Sequence, residues 1–152
     1  MNILVCGGAG FIGSSFILNY FKNNPNSKIT NLDVLTIGSN LENLKDLNNN
    51  SNYKFIQDDI RNESVVDDLV KDTDVIINFA AESHVDRSIA NPKPFVETNI
   101  LGTYSILEAT RKHDKQFIHV STDEIYGDAD GKLSFDENSQ INPSNPYAAT
   151  KA

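Results

Sequence analysis

The chain has 152 residues, 39% of them hydrophobic, and its 21 acidic against 13 basic side chains leave a formal net charge of −8. A domain of this length buries roughly 68–70% of its unfolded surface, enough for a core, and the sequence carries no internal repeat or second domain. The negative balance, with no run of lysine or arginine, argues against nucleic acid or an anionic membrane as partner, but not against a cofactor whose phosphates are held by backbone amides.

No basic region precedes the first apolar run, and glycines end that run after six residues, so neither a signal peptide nor a membrane span is read. The single Cys6 lies inside the run, as a small core hydrophobe in a reducing cytoplasm. Ile3-Leu4-Val5-Cys6 reads as a buried strand that breaks into Gly7-Gly8-Ala9-Gly10-Phe11-Ile12-Gly13. Phe16, Ile17, Tyr20 and Phe21 then predict a helix over 11–22, stopped by Asn23-Asn24-Pro25. A second strand is expected over 28–32, a short helix over 40–47 and a third strand over 53–57. A helix over 62–70 follows, with Asn62 as N-cap. A fourth, buried strand covers 74–79 and Ala80-Ala81-Glu82-Ser83-His84 is its loop. The longest helix is expected over 94–112, with Pro94 in its first turn, and a fifth strand over 117–121. Strands alternating with helices imply a parallel sheet covered on both faces, whose ligands bind beyond the strand carboxyl ends.

The loops that invite chemistry lie at those ends. In the spacing G-x-x-G-x-x-G, Gly7 supplies a tight turn, Gly10 lets a pyrophosphate approach the backbone, and Gly13 lets helix and strand pack closely, with the phosphates on the helix N-terminus. Asp33, twenty residues after Gly13, is placed to accept hydrogen bonds from adenosine ribose hydroxyls and to repel a 2′-phosphate, which favours NAD over NADP. It also reads as a turn aspartate. Asp59 is a candidate for the adenine amino group and Ile60 for packing on the ring, although Asp58-Asp59 also fits a surface acidic turn. Ala80 and Ala81 are small enough to let the cofactor approach, or mark a plain strand-to-loop transition. Thr98 can offer its hydroxyl to the cofactor or satisfy it locally.

Ser121-Thr122-Asp123-Glu124 is followed by Tyr147 and Lys151, four apart on a helix that Asn145-Pro146 would start. An ammonium near a phenol favours the phenolate and makes a usable base, though Y-x-x-x-K is also an ordinary helix-surface pair. Adjacent carboxylates can divide acid and base duties when their environments differ, or form a solvated turn, and Thr122 could hydrogen-bond a substrate oxygen. His119 reads as a satisfied core residue and His113 as a helix-end cation. His84 has no other histidine or cysteine placed to join it at a metal, and none is expected.

These residues resemble the N-terminal part of the extended short-chain dehydrogenase/reductase family and, within it, the dTDP-glucose 4,6-dehydratases. The likeness rests on the glycine segment, Asp59-Ile60, Ala80 to Ser88, Glu97-Thr98-Asn99, Ser121 to Gly127, and Tyr147 to Lys151. It implies a Rossmann-type doubly wound sheet, here ending after the fifth strand. Phe11, Ile12, Asp33, Thr36, Asp59, Ile60, Ala80, Ala81 and Thr98 would line the NAD site, with Ser83, Tyr147 and Lys151 completing it. Val34 and Ile37 stand where the family usually has lysine and tyrosine. By the resemblance, Tyr147 takes the sugar 4-hydroxyl proton as a C4 hydride passes to NAD. Lys151 lowers the tyrosine pKa and holds the nicotinamide ribose. Glu124 removes the C5 proton, Asp123 protonates the departing C6 hydroxyl, Thr122 holds O4, and Ser83 touches substrate. A dehydratase or epimerase of another nucleotide sugar such as UDP-glucose, or a non-catalytic NAD-binding module, are the alternatives. Family members run to about twice this length and pair as homodimers through the long helix and the Tyr147 helix. The chain is therefore expected to be a fragment that lacks most of the sugar pocket, binds NAD weakly and does not turn over alone.

Overall fold

The computed structural model describes residues 1–129 and 134–152. Five strands, β1 (Asn2–Cys6), β2 (Lys28–Leu32), β3 (Tyr53–Ile56), β4 (Val75–Asn78) and β5 (Gln116–His119), form one parallel sheet in the order β3-β2-β1-β4-β5. The helical elements are α1 (Phe11–Asn23), α2 (Glu63–Lys71), α3 (Val85–Ala90), α4 (Lys93–Phe95), α5 (Thr103–Lys112) and α6 (Pro146–Lys151). Short 3₁₀ helices run over Leu41–Leu47 and Asp123–Tyr126. The chain divides into two compact units, residues 1–80 with 102–120, and residues 81–101 with 121–152.

The first unit holds the sheet. Alternation along β1 sends Ile3 and Val5 to one face, against Ile17 and Phe21 of α1 and Leu44 and Leu47 of the first 3₁₀ helix. Leu4 and Cys6 go to the other face, against Val66 and Val70 of α2 and Ile106 and Ala109 of α5. With both faces covered, the strands read as continuous apolar runs, which is why they were legible. Burial pushes the Cys6 thiol up to about 12, so it stays protonated and inert. His119 is held by the Asn78 amide, 3.4 Å from Nδ1, and stacks on Phe117. His113 caps α5 and meets Asp67 of α2 at 2.9 Å.

In the second unit Phe95 is buried edge-on to Tyr147, their centroids 6.4 Å apart. Asn99 exchanges two hydrogen bonds with the backbone of Glu82 and donates to the Thr150 hydroxyl at 2.9 Å.

Three local expectations are corrected. The long helix is not uniformly α: Val96–Gly102 is π-helical. Val96, Thr98 and Ile100 are β-branched and helix-averse there, and the Asn99 amide is fully spent outside the helix. Asn62 occupies the N-cap position of α2 without capping it, because its amide donates to Asp58 and its carbonyl accepts from Ser64. Helix α3, only six residues long, lies where no helix was expected, since so short a segment carries too little periodicity to register. Among the described residues no helix is long and apolar enough to cross a membrane, and no cluster of three or more metal-ligating side chains occurs.

Candidate functional site

In the first unit the strand-to-helix turn is fixed by backbone contact. Gly7 has φ +76°, and a Cβ there would lie 2.5 Å from the Ala80 backbone nitrogen, so only glycine fits. A Cβ at Gly13 would strike Gly7 O, which brings α1 onto the turn. At Gly10, by contrast, it would meet nothing nearer than Gly7 O at 3.4 Å. The thirteen-residue α1 starts at Gly10 with no capping side chain and no acid in its first turn, and Phe11 and Ile12 are exposed beside it. Free N–H groups and an uncompensated helix dipole beneath open space fit the diphosphate of a dinucleotide.

Asp33 is 6% exposed and already well occupied. Its Oδ2 accepts from Ala9 N–H at 2.9 Å, and its Oδ1 accepts from Leu35 N–H and the Ser39 hydroxyl, both at 2.9 Å. The carboxylate therefore ties the glycine turn to the loop after β2, and one of its roughly four acceptor positions is left for a ribose hydroxyl. Thr36 is exposed on that loop, and Leu35 holds a left-handed φ of 60°. Asp59 is clamped by Arg61, whose Nε and Nη2 reach its carboxylate at 2.6–3.0 Å. Burial raises the Asp59 carboxyl, but the Arg61 hydrogen bonds and charge outweigh it and leave the group below the ordinary carboxylate range. Ile60 is 5% exposed, and its side chain lies beside Gly102. Ala80 is half-buried, its N–H held by the Asn78 side chain at 3.0 Å.

The second unit carries the carboxylate pair and the phenol. Thr122 caps the 3₁₀ turn through its hydroxyl, which accepts from Glu124 N–H at 3.3 Å. Gly127 ends the turn at φ +81°, where a Cβ would strike Asn142 O. Asp123 and Glu124 are both exposed and differ in partner: Asp123 accepts the Thr122 hydroxyl at 3.3 Å, and Glu124 Oε2 accepts from Asn145 Nδ2 at 2.9 Å. Asn145 also caps α6, taking Ala148 N–H at 2.8 Å. Pro146 has no N–H to satisfy, and Tyr147 N–H donates to the Ser88 hydroxyl of α3 at 3.1 Å. Tyr147 and Lys151 thus lie one turn apart on a short helix whose first donors are satisfied by the protein. Lys151 is 5% exposed, and burial draws its ammonium down to about 8. Ala81 and Thr98 are half-buried and Ser83 is exposed.

The site residues that sequence reading missed are those doing the fastening. Ser88, Asn99 and the second bond of Asn145 join positions 59, 51 and 21 apart, a separation that no local pattern encodes.

A family model described as GDP-mannose 4,6 dehydratase matches residues 4–152. The chain is 49% identical, over its whole length, to the low-salt glycan biosynthesis protein Agl12 of Haloferax volcanii and covers 49% of that protein. It is 45% identical, again over its whole length, to a dTDP-glucose 4,6-dehydratase of Mycobacterium tuberculosis, of which it covers 46%. Among solved structures, DesIV, the dTDP-glucose 4,6-dehydratase of Streptomyces venezuelae with NAD and TYD bound, matches with a TM-score of 0.94 at 40% identity, over 99% of this chain and 48% of that one. The chain spans about half the length of the curated relatives it matches.

Proposed function

Because the chain belongs to the family that the GDP-mannose 4,6 dehydratase model describes, we propose that the protein works as an NAD-dependent 4,6-dehydratase, converting dTDP-glucose to dTDP-4-keto-6-deoxyglucose with loss of water. The observation that carries this reading is the joining of Glu124 to the start of the Tyr147–Lys151 helix through Asn145. A carboxylate tethered to a phenol-bearing helix suits a reaction that must move protons at neighbouring carbons. The names of the dehydratases 45% and 40% identical to it support the choice of sugar nucleotide.

NAD, when bound, would accept the sugar's C4 hydrogen with its electron pair and later return it to C6. The turn at Gly7, Gly10 and Gly13 and the α1 N-terminus would hold its diphosphate, and Asp33, Thr36, Asp59, Ile60, Ala80, Ala81 and Thr98 would supply further cofactor contacts. Tyr147 takes the 4-hydroxyl proton. Lys151 stands one turn along α6 from it, and Thr122 donates to O4. The resulting 4-ketone acidifies the C5 hydrogen, which Glu124 takes as a proton while Asp123 gives a proton to the leaving C6 hydroxyl, so that water departs. Ser83 contacts the sugar. A second copy of the chain is the expected partner, docking on the helix that exposes Tyr104 and Leu107. A nucleotide-sugar substrate and a lone, buried Cys6 support a cytoplasmic setting.

Calorimetry with NAD and an assay for 4-keto-6-deoxy sugar test the reading. Weak NAD binding by this chain is the expected result, with turnover of dTDP-glucose expected of a protein that also carries the other half of its relatives' length. Preference for UDP-glucose or GDP-mannose overturns the substrate assignment, and failure to bind NAD overturns the whole.

A further inference from the structure

The Asn145 side chain makes two bonds in different directions: Oδ1 accepts from Ala148 N–H at 2.8 Å, and Nδ2 donates to Glu124 Oε2 at 2.9 Å. Serine, threonine or aspartate caps a helix as well as asparagine does. None of them also presents an amide N–H to a carboxylate, so the cap alone does not explain this residue. Glu124 is exposed, and an untethered glutamate samples many rotamers. Among the described residues its Oε1 makes no hydrogen bond, which leaves that oxygen open to receive a proton.

Resting on the dehydratase reading, we propose that Asn145 is a positioning residue for Glu124. It fixes the proton-accepting carboxylate against the first turn of α6, on which Tyr147 stands, so that one side chain sets the register between the two groups. Misplacing a reacting group by about 1 Å can cost on the order of 100-fold in rate.

The test uses Asn145→Asp, Asn145→Ser, Asn145→Ala and Glu124→Ala, in the 152-residue chain for NMR and in a protein that also carries the other half of its relatives' length for kinetics. By NMR, Glu124→Ala should shift the Asn145 side-chain amide signals while the Ala148 amide stays protected; signals indifferent to Glu124 overturn the proposal. In kinetics, Asn145→Asp and Asn145→Ser keep the cap acceptor, so the melting midpoint should hold within about 2 °C while kcat falls about tenfold or more at unchanged KM. Asn145→Ala should lower both. Wild-type kcat in Asn145→Asp, or a kcat loss that merely follows the melting midpoint across the series, overturns it. Absence of turnover in that longer wild type counts against the dehydratase reading, and the amide signals then decide the tether by themselves.

Discussion

The glycine turn and the carboxylate–phenol cluster are held by opposite means. Around Gly7 the geometry comes from backbone pressed on backbone and from a buried carboxylate, in a unit with a core on each face of the sheet. Around Tyr147 it comes from separate side-chain hydrogen bonds, those of Ser88, Asn99 and Asn145, in a unit whose recognisable apolar anchor is Phe95. The difference teaches where a substitution should register. Damage to the turn should appear as lost stability, and damage to the cluster as lost activity at a modest cost in stability.

The sharpest way to break that contrast is Gly7→Ala. The new Cβ would meet the Ala80 backbone at 2.5 Å at a φ of +76°, so neither space nor conformation admits it. A loss of about 3 kcal/mol or more is expected from the combined overlap and left-handed strain, read as a lower urea midpoint. A loss below about 1 kcal/mol would mean that the turn relaxes freely, and the contrast would collapse.

Lys151 supplies the next largest effect, with the opposite sign. Burial lowers its folded-state value from 10.5 to about 8. Below pH 8 both states carry the proton and the folded chain bears the full penalty. Between 8 and 10.5 the unfolded chain binds the proton and the folded chain does not, so stability rises with pH there, by up to roughly 3 kcal/mol. Lys151→Met should therefore stabilise the chain at pH 7 and flatten this alkaline rise, while abolishing the turnover proposed for a protein that also carries the other half of its relatives' length. The difference between the wild-type and variant stability–pH curves isolates the effect. A parallel pair of curves would show that Lys151 carries no such penalty.

Asp33→Ala tests the turn from its other side. Removing the carboxylate strands Ala9 N–H, Leu35 N–H and the Ser39 hydroxyl, and about 2–3 kcal/mol should be lost. Asp33→Asn keeps the shape and one acceptor oxygen and should lose less. NAD affinity, measured by calorimetry, should fall in both variants, because the glycine turn loses its tie to the loop after β2.

How far the sequence could be read follows the same division. The strands, α1 and the glycine turn were legible because their determinants lie within a few residues of one another: an apolar run, a helical repeat, three spaced glycines. The start of α6 was legible from Asn145-Pro146 for the same reason. The packing of Ile60 beside Gly102 was not, since it depends on a residue in another element. The π-helical stretch was hidden because the demand on Asn99 comes from Glu82 and Thr150. Residue types singled out Asp123, Glu124, Tyr147 and Lys151 as candidates; what orders them is a set of long-range hydrogen bonds that no periodicity announces.

The smallest stability effect expected is that of Ser88→Ala, and it separates the two regions most finely. Ser88 is fully buried, donates to Val85 O at 2.6 Å and accepts the Tyr147 N–H at 3.1 Å. Its loss leaves one helix-start donor without a partner, worth about 1 kcal/mol by analogy with lost caps, and removes too little volume to open a sizeable cavity. Yet the freed N–H belongs to the residue that carries the phenol, so the first turn of α6 can shift where the proposed proton transfer would occur. A kcat loss well beyond the factor of about five that 1 kcal/mol represents, with NAD affinity unchanged, is the expected outcome. A kcat that falls no further than the stability would place Ser88 with the ordinary buried serines and leave Asn145 alone to order the cluster.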